Sequence, residues 1–323
     1  MSRAVVFDEF GGPDVMHIVE EPVVEPSEGE VRVRIEAFAV NPLDQMMRSG
    51  TSPAPVALPH ARLGVEGTGV VDALGPGTTG LQIGDPVILA AVPGAGSYAD
   101  HITLPAGQVI LRPAGLAVTE AAAIWVAYST AYGALVEKAR MRPGDHVLIT
   151  AASGGVGRAA TQIARQIGAV PIALTRHTEK KDDLLAAGAA AVIATDRMDV
   201  VETVRHCTGG TGADIALDLV MGPGQQHLLQ ALRPGGRLIA AGFLDPRPTP
   251  FPRSAPLTVF GYRSFEHTLD TAVVKRMAAF LNAGVRLGAL RPAVDKVFTF
   301  DAVVEAHSRL EKGLHAGKIV VTV

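Results

Sequence analysis

Between residues 119 and 261 the apolar positions gather into short runs, at 146–150, 170–174, 191–194, 214–219 and 237–241, separated by longer stretches of mixed polarity. Short apolar strands alternating with helices of about 10–15 residues predict βαβ units, with a parallel sheet covered on both faces and right-handed crossovers. The first hundred residues pattern differently. Their β-rich runs, at 31–35, 69–73, 86–90 and 101–104, are punctuated by Gly and Pro and predict a small, mostly β domain. After residue 261 the pattern predicts a helix over 270–283, a strand over 297–300, a helix over 301–310 and a terminal strand over 319–323. That tail is too short for a third core and is expected to return to the N-terminal domain. The expected organisation is an α/β protein, with 1–118 and 262–323 forming one discontinuous domain and 119–261 the other.

The run at 146–150 leads into Ala151-Ala152-Ser153-Gly154-Gly155-Val156-Gly157 and then a predicted helix to 167. An apolar strand, a glycine turn and a helix start form the dinucleotide-binding arrangement. Gly154 lets backbone approach a pyrophosphate, Gly157 allows close packing of helix on strand, and the N–H groups at the helix start, including those of Gly155 and Val156, with Ser153 beside them, face the negative charge. The first glycine of G-x-G-x-x-G is here Ala152. An NAD enzyme places Asp or Glu after the second strand for the ribose hydroxyls. Here the sequence reads Thr175-Arg176-His177-Thr178-Glu179-Lys180. With no acid at 175–178, and with Arg176 and Lys180 able to neutralise a 2′-phosphate, NADP(H) is expected.

Composition narrows the classes. Of 323 residues, 29 are Lys or Arg and 32 are Asp or Glu, so the formal charge of −3 gives no general attraction to nucleic acid or anionic lipid. A hydrophobic content of 48% with 19% charged residues is that of a folded chain. A single cysteine, Cys207, excludes a disulfide framework and any multi-cysteine zinc site. With no signal-like or membrane-spanning apolar run, a cytoplasmic location is expected.

Further motifs extend from about residue 30 to 320: Asn41-Pro42-Leu43-Asp44 with Arg48-Ser49-Gly50, Leu63-Gly64-Val65-Glu66-Gly67-Thr68-Gly69, Gly84-Asp85-Pro86-Val87, Gly96-Ser97-Tyr98-Ala99, Thr130-Ala131-Tyr132, Ala306-His307 and Gly317-Lys318-Ile319-Val320. On these residues the chain resembles the medium-chain dehydrogenase/reductase superfamily, in its zinc-independent quinone oxidoreductase (zeta-crystallin-like) branch. The resemblance implies a GroES-like β domain closed by the C-terminal tail, a Rossmann domain, an active site in the cleft and a homodimer. Zinc-dependent relatives carry Cys where Asn41 stands and Gly-His-Glu where Gly64-Val65-Glu66 stands, so no metal is expected. Glu66 reads as a polar structural group, and His60 and His101 as surface or core residues.

Without a metal, the expected chemistry is hydride transfer to an acceptor that delocalises the incoming charge, a quinone or an α,β-unsaturated carbonyl. By resemblance, Asn41 lies beside the nicotinamide and the acceptor and Thr130 supports the cofactor. Val220 and the backbone of Gly242 and Phe243 meet it as well. Several relatives carry a tyrosine after the Asn, where this chain has Pro42, Gln45, Met46 and Met47. The proton source is then water, the cofactor ribose hydroxyl or Tyr128. Gln45, Met46, Met47, Trp125 and Phe243 are candidate pocket residues for a flat acceptor. Residues 245–256 hold prolines 246, 248, 250, 252 and 256 with Arg247 and Arg253, followed by Arg263; they read as solvated loop cations or as contacts for an anionic acyl carrier such as CoA. Two alternatives to the quinone or enone reductase stay open: an enoyl-thioester reductase, and a non-catalytic NADPH-binding redox sensor.

Overall fold

Apolar side chains alternate with polar ones along the eleven-residue strand Glu30–Val40, which buries Val31, Val33, Ile35 and Phe38. Its length lets it pair with three other strands. The computed structural model describes residues 1–90, 92, 94–251, 257–313 and 315–323. Eight strands come first: β1 (Ser2–Phe7), β2 (Met16–Glu21), β3 (Glu30–Val40), β4 (Ala61–Arg62), β5 (Gly67–Leu74), β6 (Pro86–Leu89), β7 (His101–Pro105) and β8 (Val109–Leu111). Six follow in the middle of the chain: β9 (His146–Ile149), β10 (Val170–Thr175), β11 (Ala191–Ala194), β12 (Ala213–Asp218), β13 (Leu232–Ala240) and β14 (Thr258–Gly261). The last two are β15 (Val294–Thr299) and β16 (Lys318–Thr322).

Two units divide the chain. The first comprises Met1–Val126, Val274–Arg286 and Arg291–Val323, and the second Ala127–Val273 with Leu287–Leu290. The division falls inside helix α2, which runs Val118–Tyr132 and follows α1 (Pro42–Ser49). Ala122 and Ala123 of α2 pack with Ala37, Ala39 and Val320, so the first half of that helix joins the first unit, further along the chain than the 118/119 boundary read from sequence.

In the first unit one sheet has the order β2-β1-β4, and the other has the order β15-β16-β3-β5-β6-β8 with β7 also on β3. The C-terminal strand β16 lies antiparallel to β3, with Ile319 opposite Val40 and Val321 opposite Phe38. Phe38 stacks on Tyr98 at 4.1 Å between ring centroids and meets Phe300 edge-on at 6.2 Å. Strands β1, β2, β4, β8 and β14 are absent from the sequence reading. They are short, or lie beside Gly and Pro that read as loop, and only pairing with a neighbour makes them strands.

In the second unit all neighbours are parallel, in the order β11-β10-β9-β12-β13-β14. The order reverses beside β9, which has β10 on one side and β12 on the other. Such a switch point opens a crevice at the carboxyl ends of the strands. Val147, Leu148, Ile149, Ile215, Leu217 and Ile239 are buried at the sheet centre, as expected where helices cover both faces. Among the described residues no helix is long and apolar enough to cross a membrane.

Gly69 shows how closely β3 and β5 approach: a Cβ there would lie 2.1 Å from the Arg34 carbonyl oxygen. Gly69→Ala is expected to lower the unfolding free energy by about 3 kcal/mol. Gly107→Ala, where a Cβ meets nothing within 4 Å, is expected to stay within about 0.5 kcal/mol of wild type. Urea unfolding of the two variants checks the contrast.

Candidate active site

In the second unit, β9 ends in a turn that opens α3 (Gly155–Ile167). Ala151 takes the left-handed conformation at φ 46°, and Ala152, in place of the first motif glycine, is fully buried. Gly154 caps the helix in extended conformation, and Arg158 N donates the first helical bond, to Gly154 O at 3.0 Å. The N–H groups of Gly155, Val156 and Gly157 precede that bond and lack helical acceptors. At Gly157 a Cβ would fall 2.5 Å from both Ala151 O and Ala152 Cα, so only glycine lets helix and strand approach this closely. Arg158 braces the turn: its Nε donates to Ser153 O at 3.1 Å and its guanidinium pairs with Asp183 in the helix Lys181–Ala186.

Lys180 returns to the same turn, its Nζ donating to Ser153 Oγ at 3.3 Å. Thr175, the last residue of β10, is buried, and Arg176 beyond it is exposed. The structure therefore groups Ser153, Gly154, Gly155, Val156, Gly157 and Lys180 at one strand end, with Arg176 at the next. The turn offers N–H groups that no helical carbonyl takes, a helix start and a cation. That donor set suits a dinucleotide pyrophosphate and phosphate.

Asp218, at the end of β12, holds the neighbouring loop. It is buried and accepts from Thr150 Oγ1 at 3.1 Å, from the N–H groups of Val220 and Met221 at 3.0 Å each, and from Gln225 Nε2 at 3.0 Å. Sequence reasoning missed Asp218, although an acid ending an apolar strand is a signal in itself. Gly242 passes the same loop so closely that a Cβ would sit 2.1 Å from Leu219 O. Phe243, next in the chain, is 51% exposed. Thr130 is buried, and Tyr128 is buried with its hydroxyl donating to Gln162 Oε1 at 2.6 Å. Arg247 is paired with Asp245 at 2.6 Å, which holds that carboxyl down at about 2, and Arg263 is exposed. Pro252, Arg253 and Pro256 lie outside the described residues.

In the first unit a buried polar network surrounds Asn41. Asn41 caps α1: its N–H donates to Asp44 Oδ2 at 2.9 Å, and Pro42 occupies the first helical position. The Asn41 Nδ2 donates to Ala39 O at 3.1 Å and to Glu66 Oε1 at 3.0 Å, while Oδ1 accepts from Lys318 Nζ at 2.5 Å. Lys318 Nζ also pairs with Glu66 Oε1 at 2.5 Å, and Glu66 Oε2 accepts from Val126 N at 2.9 Å. Lys318 and Asp44 stand in the sequence motifs, but nothing in the sequence links either to a partner. Gln45, Met46 and Met47 are half-buried on α1. Trp125 is 1% exposed and donates its indole N–H to Ala90 O at 2.5 Å, so its ring belongs to the core. His60 is exposed against Glu21, and His101 lies 3.5 Å from Asp72.

A second chain of bonds starts at Asp44, whose Oδ1 accepts from Gly64 N at 3.0 Å and whose Oδ2 accepts from Tyr98 OH at 3.2 Å. The phenol has one proton and gives it to the carboxylate, so it accepts from His307 Nε2, 3.2 Å away. Burial raises the Tyr98 phenol far above its usual range, which keeps that proton in place. Desolvation pushes Asp44 up to about 6, against the N–H groups of Asn41 and Gly64 and the charge of Lys318. Burial and the Arg48 charge push His307 down to about 3. Among the described residues no group of three or more His, Cys, Asp or Glu side chains is placed to hold a metal ion.

A glycine turn at the switch point of a doubly wound sheet, joined to a mainly antiparallel β unit that ends in the chain's own tail, defines the medium-chain dehydrogenase/reductase class. Residues 27–114 match the alcohol dehydrogenase GroES-like domain family, and residues 187–321 the zinc-binding dehydrogenase family. The human quinone oxidoreductase is 31% identical over 99% of this chain and 98% of its own. The Escherichia coli quinone oxidoreductase complexed with NADPH superposes with a TM-score of 0.92 at 26% identity, covering 99% of this chain and 100% of the other. An NAD-dependent alcohol dehydrogenase gives 0.87 at 32% identity over 99% of each chain, and the CurK enoyl reductase 0.87 at 25% over 99% of each. The chain belongs to the quinone oxidoreductase family of the medium-chain dehydrogenase/reductase superfamily.

The Asp44–Tyr98–His307 chain yields a test by pH. Between about pH 4 and 6, Asp44 is protonated when folded and ionised when unfolded, so its stabilisation is present below the ordinary 3.8 and is lost as pH rises through about 6. His307 is neutral when folded and protonated when unfolded below 6.5, so its stabilisation is lost as pH falls. The two slopes cancel in this window. Relative to wild type, His307→Gln is expected to lose about 1.4 kcal/mol of stability per unit as pH rises from 4 to 6, and Asp44→Asn to gain about 1.4 kcal/mol per unit. Urea unfolding across that window measures both, and slopes of the same sign would refute the assignment.

Proposed function

We propose that the protein is an NADPH-dependent oxidoreductase that reduces a quinone or an α,β-unsaturated carbonyl without zinc. The observation that carries the reading is the glycine turn, with Lys180 bonded to Ser153, Arg176 exposed at the next strand end and no acid at 175–178. A carboxylate there would favour ribose hydroxyls; two cations favour a 2′-phosphate. Bound NADPH supplies the hydride. The N–H groups of Gly155, Val156 and Gly157 hold its pyrophosphate, and the backbone around Val220 and Gly242, with Thr130, supports it.

Independence from zinc rests on ligand chemistry. Asn41 and Val65 stand where zinc-dependent relatives have Cys and His, and a neutral amide and an alkyl group do not replace a thiolate and an imidazole. Acceptors that spread the incoming charge onto oxygen need less Lewis-acid help, which directs the reading to quinones and enones. Asn41 is the polar group assigned to the reacting centre, with Gln45 and Met46 on the same helix as pocket residues. Because Tyr128 spends its hydroxyl on Gln162, water or the cofactor ribose hydroxyl is the preferred proton source. Tyr128→Phe is expected to leave the pH profile of turnover unchanged while costing about 1 kcal/mol of stability. The exposed edge strand β14, with Val259 41% exposed, favours a homodimer, and the free Cys207 fits the cytoplasm.

The decisive assay is NADPH oxidation with 1,4-naphthoquinone, 9,10-phenanthrenequinone, small enones and CoA-linked enoyl esters. Turnover of quinones or enones is expected. Preference for the thioesters would move the protein toward the enoyl reductases, and NADPH binding without any turnover would make it a redox sensor. Arg176→Ala with Lys180→Ala is expected to weaken NADPH about 10- to 100-fold and NADH by little. Equal losses for both cofactors in fluorescence titrations would refute the 2′-phosphate assignment.

A further inference from the structure

We infer that Lys318 is a positioning residue that locks the Asn41 side chain as a hydrogen-bond acceptor, unable to act as a donor toward the reacting groups. A carboxamide has two N–H donors and a carbonyl oxygen with two lone pairs. Both donors are spent, on Ala39 O and Glu66 Oε1, and Lys318 takes one lone pair. Whatever capacity is left for a ligand is an acceptor's, at Oδ1, which the capping box also turns toward Asp44 N. Turning the amide over would set its NH2 against the Lys318 ammonium and its oxygen against a carboxylate and a carbonyl, so the two charges allow one orientation. The charges are themselves held: Glu66 is 0% exposed and Lys318 8%, they pair at 2.5 Å, and Val126 N fixes the far oxygen of Glu66. Strand register places the lysine, because Ile319 lies opposite Val40, the residue before Asn41.

The consequence bears on the chemistry. An enolate or phenolate oxygen that gains charge needs a donor, and Asn41 has none to give. Its Oδ1, an acceptor, can meet only an O–H or N–H group of the cofactor or acceptor. The inference rests on the reading of Asn41 as part of the reacting centre, and the test separates the two.

Lys318→Met leaves Glu66 charged and buried and is expected to impair folding, so the informative variant is Lys318→Met with Glu66→Gln, which keeps the network neutral. It is compared with Asn41→Ala, with all three changes together, and with Lys318→Arg. Measurements are kcat and KM with NADPH and 1,4-naphthoquinone, the NADPH dissociation constant by fluorescence, and the melting temperature. The neutral pair is expected to lower kcat/KM about 10- to 100-fold. Adding it to Asn41→Ala is expected to lower kcat/KM less than about twofold further, and Lys318→Arg to recover most of the wild-type value. Multiplying losses in the triple variant, or full kcat/KM in a folded neutral pair, would overturn the proposal. If wild type binds NADPH but reduces no acceptor, the functional reading fails, and the same comparison is read in the NADPH dissociation constant.

Discussion

The antiparallel pairing of β16 with β3 is the interaction on which the first unit depends. It completes the sheet with residues from the far end of the chain, and its register carries Lys318 to Asn41 and Glu66. A buried ammonium and a buried carboxylate are each costly away from water. Here Glu66 receives donors from Lys318, Asn41 and Val126, so the charge is both paired and solvated by protein. The same bonds take both N–H donors of the Asn41 amide and fix its oxygen as an acceptor. The bonds that satisfy the buried charges are thus the ones that orient the amide.

Close backbone approach plays the corresponding part in the second unit. Gly157 and Gly242 occupy places where a Cβ would meet main-chain atoms at 2.5 Å or less. Removing the side chain brings the start of α3 down onto the end of β9, where its first N–H groups have no helical acceptors. Asp218 holds the adjacent loop, its Oδ1 accepting the N–H groups of Val220 and Met221 and its Oδ2 the side chain of Gln225. Ala152 takes the place of the first motif glycine without opening the turn, because the left-handed residue is Ala151.

Much of this was legible from local pattern. The strands β9 to β13 and the glycine turn declare themselves, since a strand buried on both faces must be a short apolar run and a tight strand-to-helix turn must use glycine. Strand β14 did not, because four residues after a proline-rich stretch carry no periodicity. Trp125 read as core or, less readily, as pocket wall, and its full burial with the indole N–H on Ala90 is a tertiary outcome. Glu66 read as a structural polar group, which it is, but its partner lies 252 positions away and no local pattern links the two.

The sequence by itself determined the α/β class, the dinucleotide turn, the absence of acid after the second strand and the residue types where related enzymes bind zinc. Each of these depends on a side chain or on neighbours within a few residues. Tertiary structure alone decided that Lys318 and Glu66 set the Asn41 amide, that Tyr98 links Asp44 to His307, and that Tyr128 spends its hydroxyl on Gln162. Those outcomes rest on which distant strands pair and in what register, and a shift of one residue would have turned Lys318 to the other face of its sheet.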